Sequence, residues 1–129
     1  MNIKFIKLLV FGLATNLSSQ SQSNIPGLWK GTSICQIKSS PCHDEIAAYQ
    51  ASKIEGTNKF SFIMNKVVNG KEENMGTTIF TFDSTKSMLI SRDNERDATW
   101  EFHVKGNTID GKLIYRGEIY RIISLKKED

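Results

Sequence analysis

Eight short runs rich in β-branched and aromatic residues follow one another along the chain, and this repetition limits the fold more than any other feature. Each run ends at a cluster of Gly, Asn, Asp, Ser or Pro, the pattern of short strands joined by turns. The predicted strands span residues 28–37, 46–54, 59–68, 75–82, 87–91, 98–104, 108–115 and 118–125. No connection is long enough for the crossover helix that parallel strands need, so the sequence predicts an antiparallel meander.

Alternation of apolar and polar residues supports the strands and identifies their buried faces. Phe60, Phe62 and Met64 share one face of the third run, and Trp100, Phe102 and Val104 share one face of the sixth. Ile109, Gly111, Leu113 and Tyr115 do so in the seventh. Residues 46–49 are apolar on both faces, which leaves a short helix as an alternative there.

An open sheet of this length exposes two edges, and closure removes both. The 129 residues suffice for one domain. We therefore predict an all-β, eight-stranded antiparallel up-and-down β-barrel, wide enough for a filled interior or one small ligand. Because the strands are short, we expect a mostly filled interior with a shallow mouth.

The first 23 residues have the order of a secretory signal peptide, with a basic start, an apolar middle and a small polar end. The mature domain is then residues 24–129, secreted or periplasmic, with no stable membrane insertion. Removal of Lys4 and Lys7 with this segment leaves 15 of the 17 basic residues, one more than the 14 acidic residues. A near-neutral domain with scattered lysines argues against nucleic acid as a partner.

Cys35 and Cys42 are the only cysteines, and an exported chain favours their pairing as a disulfide. The alternative is a metal or redox pair helped by the adjacent His43, Asp44 and Glu45. Neighbouring residues on a strand point to opposite faces, which makes a shared ion difficult to bind. We expect a disulfide, no metal and no cofactor, and we keep these three residues as a possible loop site.

Gly27-Leu28-Trp29 in the first strand and Tyr120-Arg121 in the last resemble the calycin superfamily, which includes lipocalins and avidins. The resemblance implies that Trp29 plugs the closed end of the barrel and that Arg121 covers it as a structural latch. The chain is also similar in length and layout to small periplasmic inhibitors of secreted metalloproteases, whose N-terminal segment enters the protease. Residues 21–26 would correspond to that segment.

Catalysis at neutral pH needs a base near a nucleophile, and only His43 and His103 qualify as bases. Neither lies in a catalytic motif, so we expect a protein that is not an enzyme. The preferred function is binding of a small apolar ligand at the open end of the barrel. The alternative is an interaction or inhibitor protein that contacts an extracellular protein through its loops or N-terminal segment.

Overall fold

The computed structural model describes Gln22 and residues 24–128, and it confirms the predicted barrel. Its eight strands are β1 (Gly27–Cys35), β2 (Glu45–Lys53), β3 (Lys59–Val68), β4 (Lys71–Asp83), β5 (Met88–Asp93), β6 (Ala98–Lys105), β7 (Thr108–Tyr115) and β8 (Glu118–Lys127). Each strand is antiparallel to the next, and β8 pairs with β1 to close the ring. The signal peptide prediction falls on residues that, apart from Gln22, lie outside the described range. In the described part of the chain, no helix has the length and apolar character needed to cross a membrane.

The structure shows the conformation of residues 46–49 and the position at which β4 begins. Residues 46–49, where a helix was the alternative, belong to β2. Strand β4 begins at Lys71, earlier than predicted, because Asn69 and Gly70 form the whole turn with φ angles of 52° and 78°. Positive φ at both central residues is what a two-residue hairpin requires, so the pairing of β3 with β4 runs to the end of the hairpin.

Aromatic side chains fill the half of the barrel that contains the start of β1, which we call the closed half. Phe62 and Phe80 meet with ring centroids 4.9 Å apart, and Phe80 and Phe102 meet at 4.8 Å. Gly111 has no side chain and so leaves room for the Phe102 ring, because a Cβ at position 111 would lie 2.4 Å from that ring. Close packing of these buried rings stabilises the barrel.

The closed end is sealed by Trp29, whose side chain is fully buried. Its Nε1 donates a hydrogen bond of 2.8 Å to the carbonyl oxygen of Ile25, which is itself buried. Lys127 lies opposite Trp29 in the pairing of β1 with β8, its Nζ 5.9 Å from the indole ring. The same Nζ donates to the carbonyl oxygen of Asn24, which ties the segment before β1 to β8.

The basic residue that covers Trp29 is therefore Lys127, and the predicted latch between Trp29 and Arg121 does not form. Arg121 pairs with Cys35, at the other end of β1. The two basic residues are separated by an even number of positions, so both point into the barrel. A shift of register by an even number of residues keeps every side chain on its face while exchanging the partner.

Candidate binding site

A cavity of about 810 Å³ occupies the half of the barrel opposite Trp29, which we call the open half. Its apolar wall consists of Tyr49, Met64, Trp100 and Leu113, one residue from each of four strands. The interior is thus filled in the closed half, as predicted, but the open half holds more than a shallow mouth. A cavity of this size lies within the range of small-molecule sites, about 300 to 1,000 Å³.

A polar cluster centred on Arg121 forms one side of this cavity. Its Nη1 donates to the carbonyl oxygen and the hydroxyl of Ser33, both at 3.3 Å, and to the carbonyl oxygen of His43 at 3.0 Å. Its Nη2 lies 3.5 Å from Oε2 of Glu45, with side-chain exposures of 12% for the arginine and 17% for the glutamate. The guanidinium is thus held by β1 and by the stretch that leads into β2, and its charge is balanced within the cavity.

Tyr49 joins the polar cluster to the aromatic core. Its ring is stacked on Phe102 with an interplanar angle of 5°, and its residue is buried. Burial, and secondarily the nearby Glu45 carboxylate, raise the pKa of its phenol to about 12, while Arg121 and the Ser33 hydroxyl act in the opposite direction. The phenol is therefore neutral at physiological pH, and Tyr49 borders the cavity beside the polar cluster.

The Cys35–Cys42 disulfide closes the loop between β1 and β2 beside this cavity, which confirms the predicted pairing. Near the end of this loop, Oδ1 of Asp44 accepts a hydrogen bond of 2.9 Å from the N–H of Cys35. The Ser40 hydroxyl lies 3.1 Å from the Tyr120 hydroxyl and so connects the loop to β8. The loop is held in position to present the His43 carbonyl to Arg121. A disulfide also indicates an oxidising, non-cytoplasmic environment.

His43, Asp44 and Glu45 have three different environments. Asp44 binds the Cys35 N–H, Glu45 pairs with Arg121 inside the barrel, and the His43 residue is exposed. Among residues 24–128, no group of three His, Cys, Asp or Glu side chains has a geometry that would hold a metal ion. His103, the other candidate base, lies exposed on the outer face of β6.

A second depression of about 530 Å³ lies outside the barrel at the same end, and it is where the predicted loop site remains exposed. Its lining includes His43 and Asp44 from the loop, Lys66 and Val68 from β3, and Tyr120 from β8. Of the residues that the structure describes, only Glu45 and Arg121 line both this depression and the cavity inside the barrel. The ion pair is therefore the wall between the two.

The segment proposed as an inhibitory tail, residues 21–26, is held to the barrel where the structure describes it. The Asn24 side-chain amide donates to the carbonyl oxygen of Gly106 at 2.9 Å and to Oδ1 of Asn107 at 3.0 Å. Ile25 is buried against Trp29. This part of the segment therefore belongs to the seal of the closed end.

Sequence reasoning identified Trp100 and Leu113 as facing inward, but it did not place them at a cavity. It assigned Arg121 to the opposite end of the barrel. The missing information was the register of β8 against β1. One signal was present in the sequence: the inward residues change from Phe and Ile in the closed half to Ser33, Thr78 and Ser91 in the open half.

No protein-family model, curated protein or solved structure matches the chain. The class is therefore defined by the structure alone. It is a small, closed, eight-stranded antiparallel barrel with one sealed end, consistent with a calycin-like fold.

Proposed function

We propose that this protein is exported from the cytoplasm and that its barrel binds a small, mainly apolar molecule in the open half, without catalysing a reaction. The observation that carries the proposal is the cavity of about 810 Å³ between the aromatic core and the Arg121–Glu45 pair. Pockets of this kind use apolar walls for affinity and a few fixed polar groups for orientation.

The chemistry of the lining favours a ligand with an apolar body and one polar group. Met64, Trp100 and Leu113 offer a flexible thioether, an aromatic ring and a branched alkyl group to the body. The neutral phenol of Tyr49 and the guanidinium of Arg121 are hydrogen-bond donors for a carbonyl or hydroxyl oxygen. Glu45 balances Arg121, and Asp93 lies 3.7 Å from Arg96, so two of the three arginines of the lining have a carboxylate partner.

Native mass spectrometry of the protein purified from its own host tests this proposal. We expect a mass above that of a polypeptide starting near residue 24, with the excess lost on unfolding. Ser91→Phe, which places an aromatic ring inside the cavity, should reduce the bound mass, whereas Thr32→Phe on the outer face of β1 should keep it. Ligand-free protein that also fails to take up the apolar dye N-phenyl-naphthylamine would contradict the proposal.

A further inference from the structure

The barrel wall is incomplete between β4 and β5. These strands pair only through Thr81 with Ile90, Phe82 with Leu89, and Asp83 with Met88, although β4 continues to Lys71 and β5 to Asp93. Every other neighbouring pair is joined over six residues or more. We call the unpaired region between β4 and β5, from the Thr81–Ile90 pair toward the open end of the barrel, the slit.

Main-chain groups of β4 face the slit without a strand partner. The N–H of Phe82 donates to the carbonyl oxygen of Asn58, on the β3 side, at 2.8 Å. Successive residues of an antiparallel strand direct their N–H and C=O groups to opposite neighbours, so those of Thr81, Ile79 and Thr77 face β5. Thr81 has Ile90 as its partner, whereas within residues 24–128 no strand pairs with the slit side of Ile79 or Thr77.

The cavity opens to the outside through this slit. Its lining includes Thr77, Ile79 and Arg92, which alternate with the inward residues of β4 and β5, together with the inward-facing Tyr49 and Trp100. Asp93 and Arg96, at the β5–β6 turn, border the same cavity, so the cavity reaches both the slit and the open rim of the barrel. A side chain of a molecule lying along β4 therefore has direct access to the interior.

The rest of the β4 edge is protected against strand pairing, but the part beside the slit is not. Toward the β3–β4 turn the edge carries Lys71, Glu72 and Glu73, and a bulge follows at Gly76, where φ is 121°. Charges and bulges are the usual protection of exposed edges. Residues 77–80 carry no charge, and Ile79 is 44% exposed.

From these observations we infer that the slit binds an extended peptide segment of another protein, added as a strand along Thr77 to Phe80 with one apolar side chain in the cavity. Unpaired main-chain donors and acceptors specify an extended polypeptide, and the adjoining pocket specifies the side chain. This is a second binding mode, independent of the small-molecule proposal but sharing its cavity, so a bound peptide and a small ligand exclude each other.

The test uses a phage-displayed library of random heptapeptides, panned on the whole mature barrel. Ile79→Pro removes the isoleucine side chain and an N–H that faces the slit, but no N–H that pairs with β3, so this variant should fold like the wild type. Ile79→Ala controls for the lost side chain. We expect enriched peptides with an apolar residue at one fixed position, bound at least about fivefold more weakly by Ile79→Pro than by Ile79→Ala, the effect of losing one hydrogen bond.

Backbone methylation of the peptide supplies the second readout. N-methylation at alternate residues, those facing β4, should abolish binding, while methylation at the intervening residues should not. Three results would overturn the inference: no peptide enriched, peptides that bind the proline variant equally well, or a peptide-free dimer in native mass spectrometry that Ile79→Pro abolishes. Uptake of N-phenyl-naphthylamine by the wild-type protein, which carries no change in the cavity lining, separates these failures from failure of the small-molecule proposal.

Discussion

Arg121 shows how one residue acquires a role from its register. Its position opposite Cys35 brings the guanidinium within reach of Ser33, the His43 carbonyl and Glu45 at once. A charge with 12% side-chain exposure is stable only because these partners replace lost water. The same residue two or four positions along β8 would still face inward but would meet the aromatic core.

Breaking the Arg121–Glu45 pair should destabilise the fold more than breaking a surface pair. Glu45→Gln leaves the guanidinium short of its counter-charge in a partly buried site, and we expect a loss of about 1 to 3 kcal/mol in the free energy of unfolding. Glu101→Gln, whose partner Lys112 has 43% side-chain exposure, should cost less than about 1 kcal/mol. Urea unfolding measures the free energy of unfolding of both variants, and equal losses of that free energy would contradict this account of the cluster.

Tyr49 should make stability depend on alkaline pH. The phenol has an unfolded pKa of 10.0 and a folded pKa of about 12, so the folded state holds its proton more tightly. This contribution is fully present below pH 10 and is lost as the pH rises through 12. Its size is at most about 3 kcal/mol, since each unit of pKa difference corresponds to about 1.4 kcal/mol.

The matched variant for this prediction is Tyr49→Phe, which keeps the ring on Phe102 and removes the titrating group. Urea unfolding between pH 9 and pH 12 should show wild-type stability falling more steeply than that of the variant. The other tyrosines and the lysines are common to both proteins and cancel in the difference. If the free energies of unfolding of the two proteins fall in parallel with pH, burial does not raise the pKa of Tyr49.

At the scale of elements, closure of the barrel depends on the contact between β1 and β8. Gly31 lies directly against the backbone of β8, and a Cβ at this position would lie 1.8 Å from the Ser124 carbonyl oxygen. Backbone cannot move aside as a side chain does. The glycine is therefore required by the distance between the two strands, and not by an unusual φ angle.

Gly31→Ala should accordingly weaken closure. We expect a loss of about 3 kcal/mol or more, the upper part of the range for overpacking, with faster amide hydrogen exchange along β1 and β8. Thr32→Ala, one position further on the outer face, should change stability by less than about 1 kcal/mol. Slow exchange along β1 in the glycine variant would mean that closure tolerates a wider spacing.

The sequence predicted the elements better than their partners. The bounds of β3 and β7 were predicted correctly, because Asn-Gly and Gly-Asn clusters mark their ends clearly. The predicted contact of Trp29 with Arg121 was wrong. Alternation determines which face a residue occupies, but it is unchanged when one strand slides past its neighbour by two, four or six positions. The slit was not predictable, since an absence of pairing leaves no periodic signal.

At the scale of the whole molecule, the barrel divides into a half that provides stability and a half that is open for binding. Large aromatic rings and the Trp29 seal fill the first, while smaller inward side chains such as Ser33, Thr78 and Ser91 leave the second open. The disulfide loop stands at the open end and fixes the Arg121 cluster. The aromatic half thus supports the fold, whereas Tyr49, Glu45 and Arg121 border the cavity and also stabilise the domain.

The most direct test of the central claim is where an apolar molecule binds. Met64 lies in the cavity wall, Met75 borders the slit, and Met88 begins β5 at the closed end, so ¹³C-methyl labelling of methionine places a reporter at each position. Titration with N-phenyl-naphthylamine should shift the Met64 methyl signal most, Met75 less and Met88 not at all. A saturable shift at Met88 with Met64 unchanged would contradict binding in the open half.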